Sequence, residues 1–249
     1  MNRTVFIALG CILLFATSGS AMVGGPLFTI GKQITSMTVE GTQAEMEVPI
    51  AEGESERSSM TSRRLFLIGR YGLDSMLDMD VKLGAADLTF DELGGGFSEY
   101  SSSPSLAWGV GLRAGFPSEA DYQVIASLDY TGYRAEASTA KANKSISSKY
   151  LWQEITPTVA VGYKISNIVP YAGIQKPYLF GTRDYTTFFN GQVVPSASGK
   201  DSYSDGEQDI RGLFGLEYRM PDGYSLAGEV STTSSGAWTF SVGLAQALR

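Results

Sequence analysis

Bulky apolar side chains recur at every second position along much of this chain, the period of a β-strand with two unlike faces. In Leu106-Ala107-Trp108-Gly109-Val110-Gly111-Leu112-Arg113-Ala114-Gly115-Phe116 the even positions are mostly bulky and apolar, and the odd ones are Gly, Ala or Arg. Leu77 to Ala85 sets Asp78, Asp80 and Lys82 against an aliphatic face, and the rule returns in Leu151–Ile165, Ile210–Tyr218 and Trp238–Leu244. Turn residues divide the chain into about ten strands, over 27–40, 63–73, 76–90, 105–116, 121–135, 149–165, 168–182, 208–220, 223–232 and 236–248. Tight connections at Asp74-Ser75, Pro117 to Ala120, Ser166-Asn167 and Pro221-Asp222 alternate with long polar ones over 41–62, 91–104, 136–148 and 183–207. The last connection, Thr233-Ser234-Ser235, is short but falls in the order at a long-loop position. This alternation predicts an all-β, antiparallel up-and-down transmembrane β-barrel with its tight turns on one side. Ten strands put both termini on the tight-turn side, and closure with eight also fits.

The same alternation suits a soluble barrel or sandwich with its apolar face inside, so the direction of that face needs other evidence. Aromatic residues supply it. Tyr71, Phe116, Tyr122, Tyr163, Tyr218 and Tyr224 fall at the tight-turn ends of strands, and Trp108, Tyr130 and Trp238 toward the long-loop ends. Two girdles of amphipathic rings bracketing an apolar band is the expectation for a membrane-facing wall. Tyr122 to Tyr130 spans the length a tilted membrane strand needs. The opposite face carries Asp80, Lys82, Arg113, Asp129, Glu154, Arg211, Glu217 and Glu229 among Gly, Ala, Ser and Thr. Small residues suit a narrow lumen and bring nothing to a water-facing exterior, so these charges are expected to face the lumen.

Residues 1–21 read as a cleaved signal peptide: Arg3 gives the positive start, Thr4 to Ala16 the apolar run, and Gly19-Ser20-Ala21 the small-residue cleavage site. The run is too short for a membrane helix. Cys11 follows Ala8-Leu9-Gly10 in a faint lipoprotein pattern, but the apolar run continues through Ile12 to Phe15. Residues 22–249 then form a single barrel domain without cysteine, held together by packing or by a membrane rather than by disulfides. A net charge of −7 with no basic block argues against nucleic acid as a partner. With His 0 and Cys 1 in the whole chain, histidine-based catalysis and His-ligated zinc are excluded, and the residue types that do most general-base, metal-binding and redox work are missing.

The turn and strand Asn167-Ile168-Val169-Pro170-Tyr171-Ala172-Gly173-Ile174 and the closing strand Trp238 to Leu248 resemble the small outer-membrane β-barrel proteins of the OmpA type. The resemblance implies residence in the bacterial outer membrane, contact with its lipid and lipopolysaccharide, and insertion by the outer-membrane assembly machinery. Strands of that family usually end on an aromatic residue, whereas this chain ends Leu248-Arg249, which implies a nonstandard assembly signal. Enzymes on similar scaffolds carry a catalytic histidine that this chain lacks, so no enzymatic activity and no cofactor are expected.

Asp78 and Asp80 share a strand face like a hydrolase pair, but beside Lys82 they read as part of an ion-paired lumen. Glu45, Glu47, Glu52, Glu54 and Glu56 match no calcium-loop spacing and read as a solvated acidic loop. Lys141 and Lys144 offer contacts to anionic sugars or phosphates, or simply solvate their loop. Tyr185, Phe188, Phe189 and Tyr203 either meet a partner or cover the barrel mouth. Three functions follow: a structural or surface-interaction barrel with a lumen filled by ion pairs, a narrow passive pore for small solutes, or a soluble exported ligand-binding barrel.

Overall fold

The computed structural model describes residues 32–49, 57–93, 97–117, 121–205, 209–234 and 236–248. The strands in chain order are β1 (Thr35–Pro49), β2 (Arg57–Gly72), β3 (Leu77–Leu93), β4 (Phe97–Ser101), β5 (Ser105–Pro117), β6 (Tyr122–Lys141), β7 (Lys144–Tyr163), β8 (Ile168–Gln175), β9 (Tyr178–Phe189), β10 (Gln192–Val193), β11 (Gly199–Asp205), β12 (Arg211–Arg219), β13 (Tyr224–Thr232) and β14 (Trp238–Leu248). Every pairing is antiparallel, and Thr35–Ala44 of β1 closes onto Thr239–Leu248 of β14. β7 pairs with β8 through Thr158–Gly162 and with β9 through Lys144–Ile155, so β8 and β9 are one wall strand interrupted at Lys176-Pro177. β12 and β11 continue one another in the same way on the far side. The barrel wall is therefore a ring of ten strands.

The interruption has a local cause. Pro157 on β7, which the register sets opposite Lys176, and Pro177 next to Lys176 both lack an amide hydrogen, so neither can donate to a neighbouring strand. The Lys176 amide bridges the gap by donating to the Pro157 carbonyl at 3.1 Å.

Several boundaries differ from the hydropathy reading. The first strand runs from Thr35 to Pro49 rather than over 27–40. Much of the supposed loop 41–62 is a ladder, with Glu45 opposite Thr61 and Pro49 opposite Arg57. The segment 136–148 is also strand, from Glu136 opposite Lys149 to Lys141 opposite Lys144, closed by a turn at Ala142-Asn143. The segment 91–104 contains β4, and 183–207 contains the end of β9 with β10 and β11. Along 41–62 and 136–148 the outward positions are polar (Gln43, Glu45, Glu136, Ser138), so alternation in hydropathy stops while backbone pairing continues. The residues of the signal sequence lie outside the described residues.

The tight turns are built by local polar chemistry. Asp74 accepts from the Met76 and Leu77 amides at 2.6 and 2.8 Å, and Asp222 takes the left-handed conformation with φ 66° between β12 and β13.

The wall changes polarity along its length. Toward the tight turns the outside is apolar: Val81 is 54 % exposed, Leu83 57 % and Phe214 59 %. An apolar surface this continuous is not left bare in water, and on a ten-strand ring it makes a lipid-facing belt. Beyond the belt the outside becomes polar, as at Arg134, Glu136, Lys149 and Asp184, all exposed.

Candidate functional site

What distinguishes this barrel is what fills it. All eight charged residues expected inside turn inward: Asp80, Lys82, Arg113, Arg211, Glu217 and Glu229 are buried, and Asp129 and Glu154 keep only 12 % of their side-chain surface. The structure adds Glu40, Arg64, Arg70 and Asp78, also buried. Lys82 Nζ meets Asp129 Oδ1 at 2.7 Å, Arg64 Nη2 meets Glu154 Oε2 at 2.7 Å, and Arg70 Nη2 lies 3.8 Å from Asp80 Oδ2. Asp78 sits opposite Arg113 in the β3–β5 ladder. Arg219 Nε donates to Glu217 Oε1 at 2.9 Å. Asp78 and Asp80 therefore each have a basic neighbour. Burying an ion costs several kcal/mol unless an opposite charge and further hydrogen bonds compensate it, and these pairs supply the opposite charge.

Neutral groups complete the network. Thr42 donates to Glu40 Oε1 at 3.2 Å, Thr156 to Glu154 Oε1 at 3.0 Å, and the Tyr171 hydroxyl to Glu229 Oε2 at 3.0 Å. Gln175 Nε2 donates to Ser231 Oγ at 2.8 Å, and Arg211 Nη1 to Thr239 Oγ1.

Glycines let these contacts form. Gly111 lies between Asp80 on β3 and Asp129 on β6, and Gly215 between Tyr171 on β8 and Glu229 on β13. A Cβ on Gly111 would stand 2.7 Å from Asp129 Oδ1, and one on Gly215 would stand 2.5 Å from Tyr171 Cε2. With no side chain in the middle position, the flanking strands reach across it.

A second layer closes the long-loop half. On β3, β6 and β7 the inward residues switch from charged to apolar: Leu88 and Phe90, Tyr133 and Ala135, Tyr150 and Trp152. They pack with Met46 and Met60 of β1 and β2 into a buried cluster. Phe90 stacks on Tyr150 with ring centroids 5.2 Å apart, and Tyr133 bonds Ser62 at 2.8 Å beneath the Arg64 guanidinium. This part of the wall is polar outside and apolar inside, the reverse of the belt. Among the described residues the lumen keeps a chamber of about 40 Å³ below this cluster, lined by Glu40, Arg64, Lys82, Asp129, Glu154 and Arg211 among others.

The girdle residues all point outward. Tyr71, Phe116, Tyr122, Tyr163 and Tyr218 are 41–53 % exposed near the tight turns, with Tyr224 half-buried beside them. Trp108 and Tyr130 pack ring to ring at 5.1 Å at the other edge of the belt, and Trp238 faces outward on β14. Lys141 and Lys144 stand at the tip of the β6–β7 hairpin. Arg183 covers Tyr185 at 4.9 Å, and Phe189 is exposed. Glu47, Glu52, Glu54, Glu56 and Tyr203 lie outside the residues whose side chains are described. Of the residues the sequence reading passed over, Arg64 and Arg70 share a strand with inward Phe66 and Ile68, which hides their face from hydropathy. Their even numbering, in step with Ser62, was the usable signal.

No protein-family model matches the chain, and no curated protein matches it. Solved structures do. The translocator domain of the autotransporter NalP from Neisseria meningitidis aligns with 99 % of this chain and 96 % of its own length, at 11 % identity and a TM-score of 0.56. The outer membrane protease OmpT from Escherichia coli aligns over 90 % of this chain and 100 % of its own length, at 9 % identity and a TM-score of 0.55. The chain thus has the fold of the outer-membrane β-barrels.

Proposed function

We propose that this chain is an integral outer-membrane barrel with a sealed lumen, serving as a structural anchor that holds a rigid sheet above the lipid for surface contacts. One observation carries this reading: the lumen is occupied in two tiers, ion pairs of which Arg64–Glu154 crosses it and an apolar cluster that caps them. A solute path would need a continuous wet channel, whereas the described lumen is spanned by the Arg64–Glu154 pair and capped by the apolar cluster, with a chamber of about 40 Å³ between them. The apolar belt sits in outer-membrane lipid, the polar extension of β6, β7, β9 and β11 stands among lipopolysaccharide sugars, and delivery there uses the outer-membrane assembly machinery and a cleaved signal peptide. The protein works without enzymatic activity or cofactor. The OmpA-type likeness rests on Asn167–Ile174 and Trp238–Leu248, and the anchoring role agrees with it.

Planar-bilayer recording on the refolded chain tests this. The sealed barrel gives no steady unitary conductance at physiological salt. A stable open channel would replace the anchor with the narrow-pore reading.

A further inference from the structure

We propose that the lumen chamber is a binding site for a compact carboxylate-class anion, held by a row of three donors on neighbouring strands: Thr158, Gln175 and Arg211. Backbone pairing sets them side by side. Thr158 of β7 is opposite Gln175 of β8, and Gln175 is opposite Arg211 of β12. With strands about 4.8 Å apart, the row spans about 10 Å. All three turn inward with exposures of 4, 6 and 2 %, and all three line the chamber.

The donors are oriented and only partly used. Thr239 fixes Arg211 through Nη1, and Ser231 holds the Gln175 amide. Arg211 Nε and Nη2, and Thr158 Oγ1, have no hydrogen-bond partner among the described residues. The Nε–Nη2 edge of a guanidinium is one that a carboxylate grips with two parallel hydrogen bonds.

Charge pairing leaves room for such a ligand. Of the six charged residues around the chamber, Lys82 is paired with Asp129, and Glu154, which accepts from Arg64 and Thr156, also acts through its charge on Arg211 without a hydrogen bond to Nε or Nη2. Glu40 is engaged by Thr42 and lies further along β1 than the Arg211 partner Thr239. The residue opposite Thr239 is Ala44, four positions along β1 from Glu40, or about 13 Å. A buried guanidinium favours a negative partner. About 40 Å³ holds about three waters, which admits formate or acetate and excludes a sugar.

Titration of the chain, refolded in detergent micelles, with formate while the Arg Nε–H resonances are followed by NMR tests the site. The expected result is a saturable shift of one arginine resonance that chloride at equal ionic strength does not reproduce. Arg211→Gln removes it. Gln175→Glu puts a carboxylate into the row and weakens formate binding by about tenfold or more, while boiled and unboiled samples still migrate differently on detergent gels. The wild-type titration and Gln175→Glu decide the matter even where Arg211→Gln fails to assemble. No saturable shift in the wild type, an equal response to chloride, or binding unchanged in Gln175→Glu would overturn the proposal.

Discussion

Arg64 and Glu154 meet at 2.7 Å although they rise from β2 and β7, with β3, β5 and β6 between them around the ring. The contact therefore crosses the lumen instead of following the wall, and both side chains are almost fully buried. Removing one partner leaves the other charge stranded in the interior. Glu154→Leu alone should lower stability by about 3–5 kcal/mol, whereas Arg64→Met with Glu154→Leu should recover most of the loss. Urea unfolding of the refolded barrel, read as tryptophan fluorescence, measures both.

The glycine spacers carry a separate prediction. Gly215→Val drives a side chain into the Tyr171 ring, and overpacking of this kind costs about 1–3 kcal/mol. Gly69→Val on the outward face of β2 meets nothing within 4 Å and should be close to neutral. Equal losses in the two variants, in the same unfolding assay, would contradict a spacer role.

Charge on the belt should block assembly. Val110, Leu112 and Val242 point outward within it, and an arginine there costs about 2–4 kcal/mol near the bilayer midplane. Ser138→Arg, also outward but on β6 beyond the belt, should assemble like the wild type. Heat-modifiable migration on detergent gels reads the difference. Variants of Val110 or Leu112 that still assembled would show that this face does not meet lipid.

The apolar cap contributes stability without being the only seal. Trp152→Ala removes the largest buried side chain of the cluster and should cost about 3–5 kcal/mol. Bilayer recordings should stay silent, because the Arg64–Glu154 pair beneath the cap still crosses the lumen and Lys82–Asp129 still fills it. A stable conductance in this variant would mean that the cap alone closes the barrel.

The parts legible in the sequence are those where lipid imposes alternation. Leu106 to Phe116 shows its strand and both faces directly, because each outward position there must be apolar or aromatic and each inward one small or paired. Above the belt that constraint lifts. Glu136 and Lys149 form an exposed pair at 3.0 Å on a regular ladder, yet the segment around them has the composition of a loop. β1 is hidden for the same reason, since Gly41, Gln43 and Glu45 occupy its outward positions. The lumen charges on strands with a clear apolar face were readable by parity, whereas Arg64 and Arg70 were masked by inward Phe66 and Ile68. The row of Thr158, Gln175 and Arg211 was not readable at all, because it depends on the register between three strands.

The chain's three tryptophans allow the most direct test of the central claim, that the apolar face meets lipid and the lumen is closed to it. Trp108 and Trp238 lie on the outer face, while Trp152 is 1 % exposed inside the cap. Variants keeping a single tryptophan, with phenylalanine at the other two positions, would be refolded into vesicles of brominated phospholipid and their fluorescence quenching compared. The barrel described here predicts strong quenching of Trp108 and Trp238 and little of Trp152. Quenching of Trp152 with sparing of the other two, or no quenching of any, would contradict it.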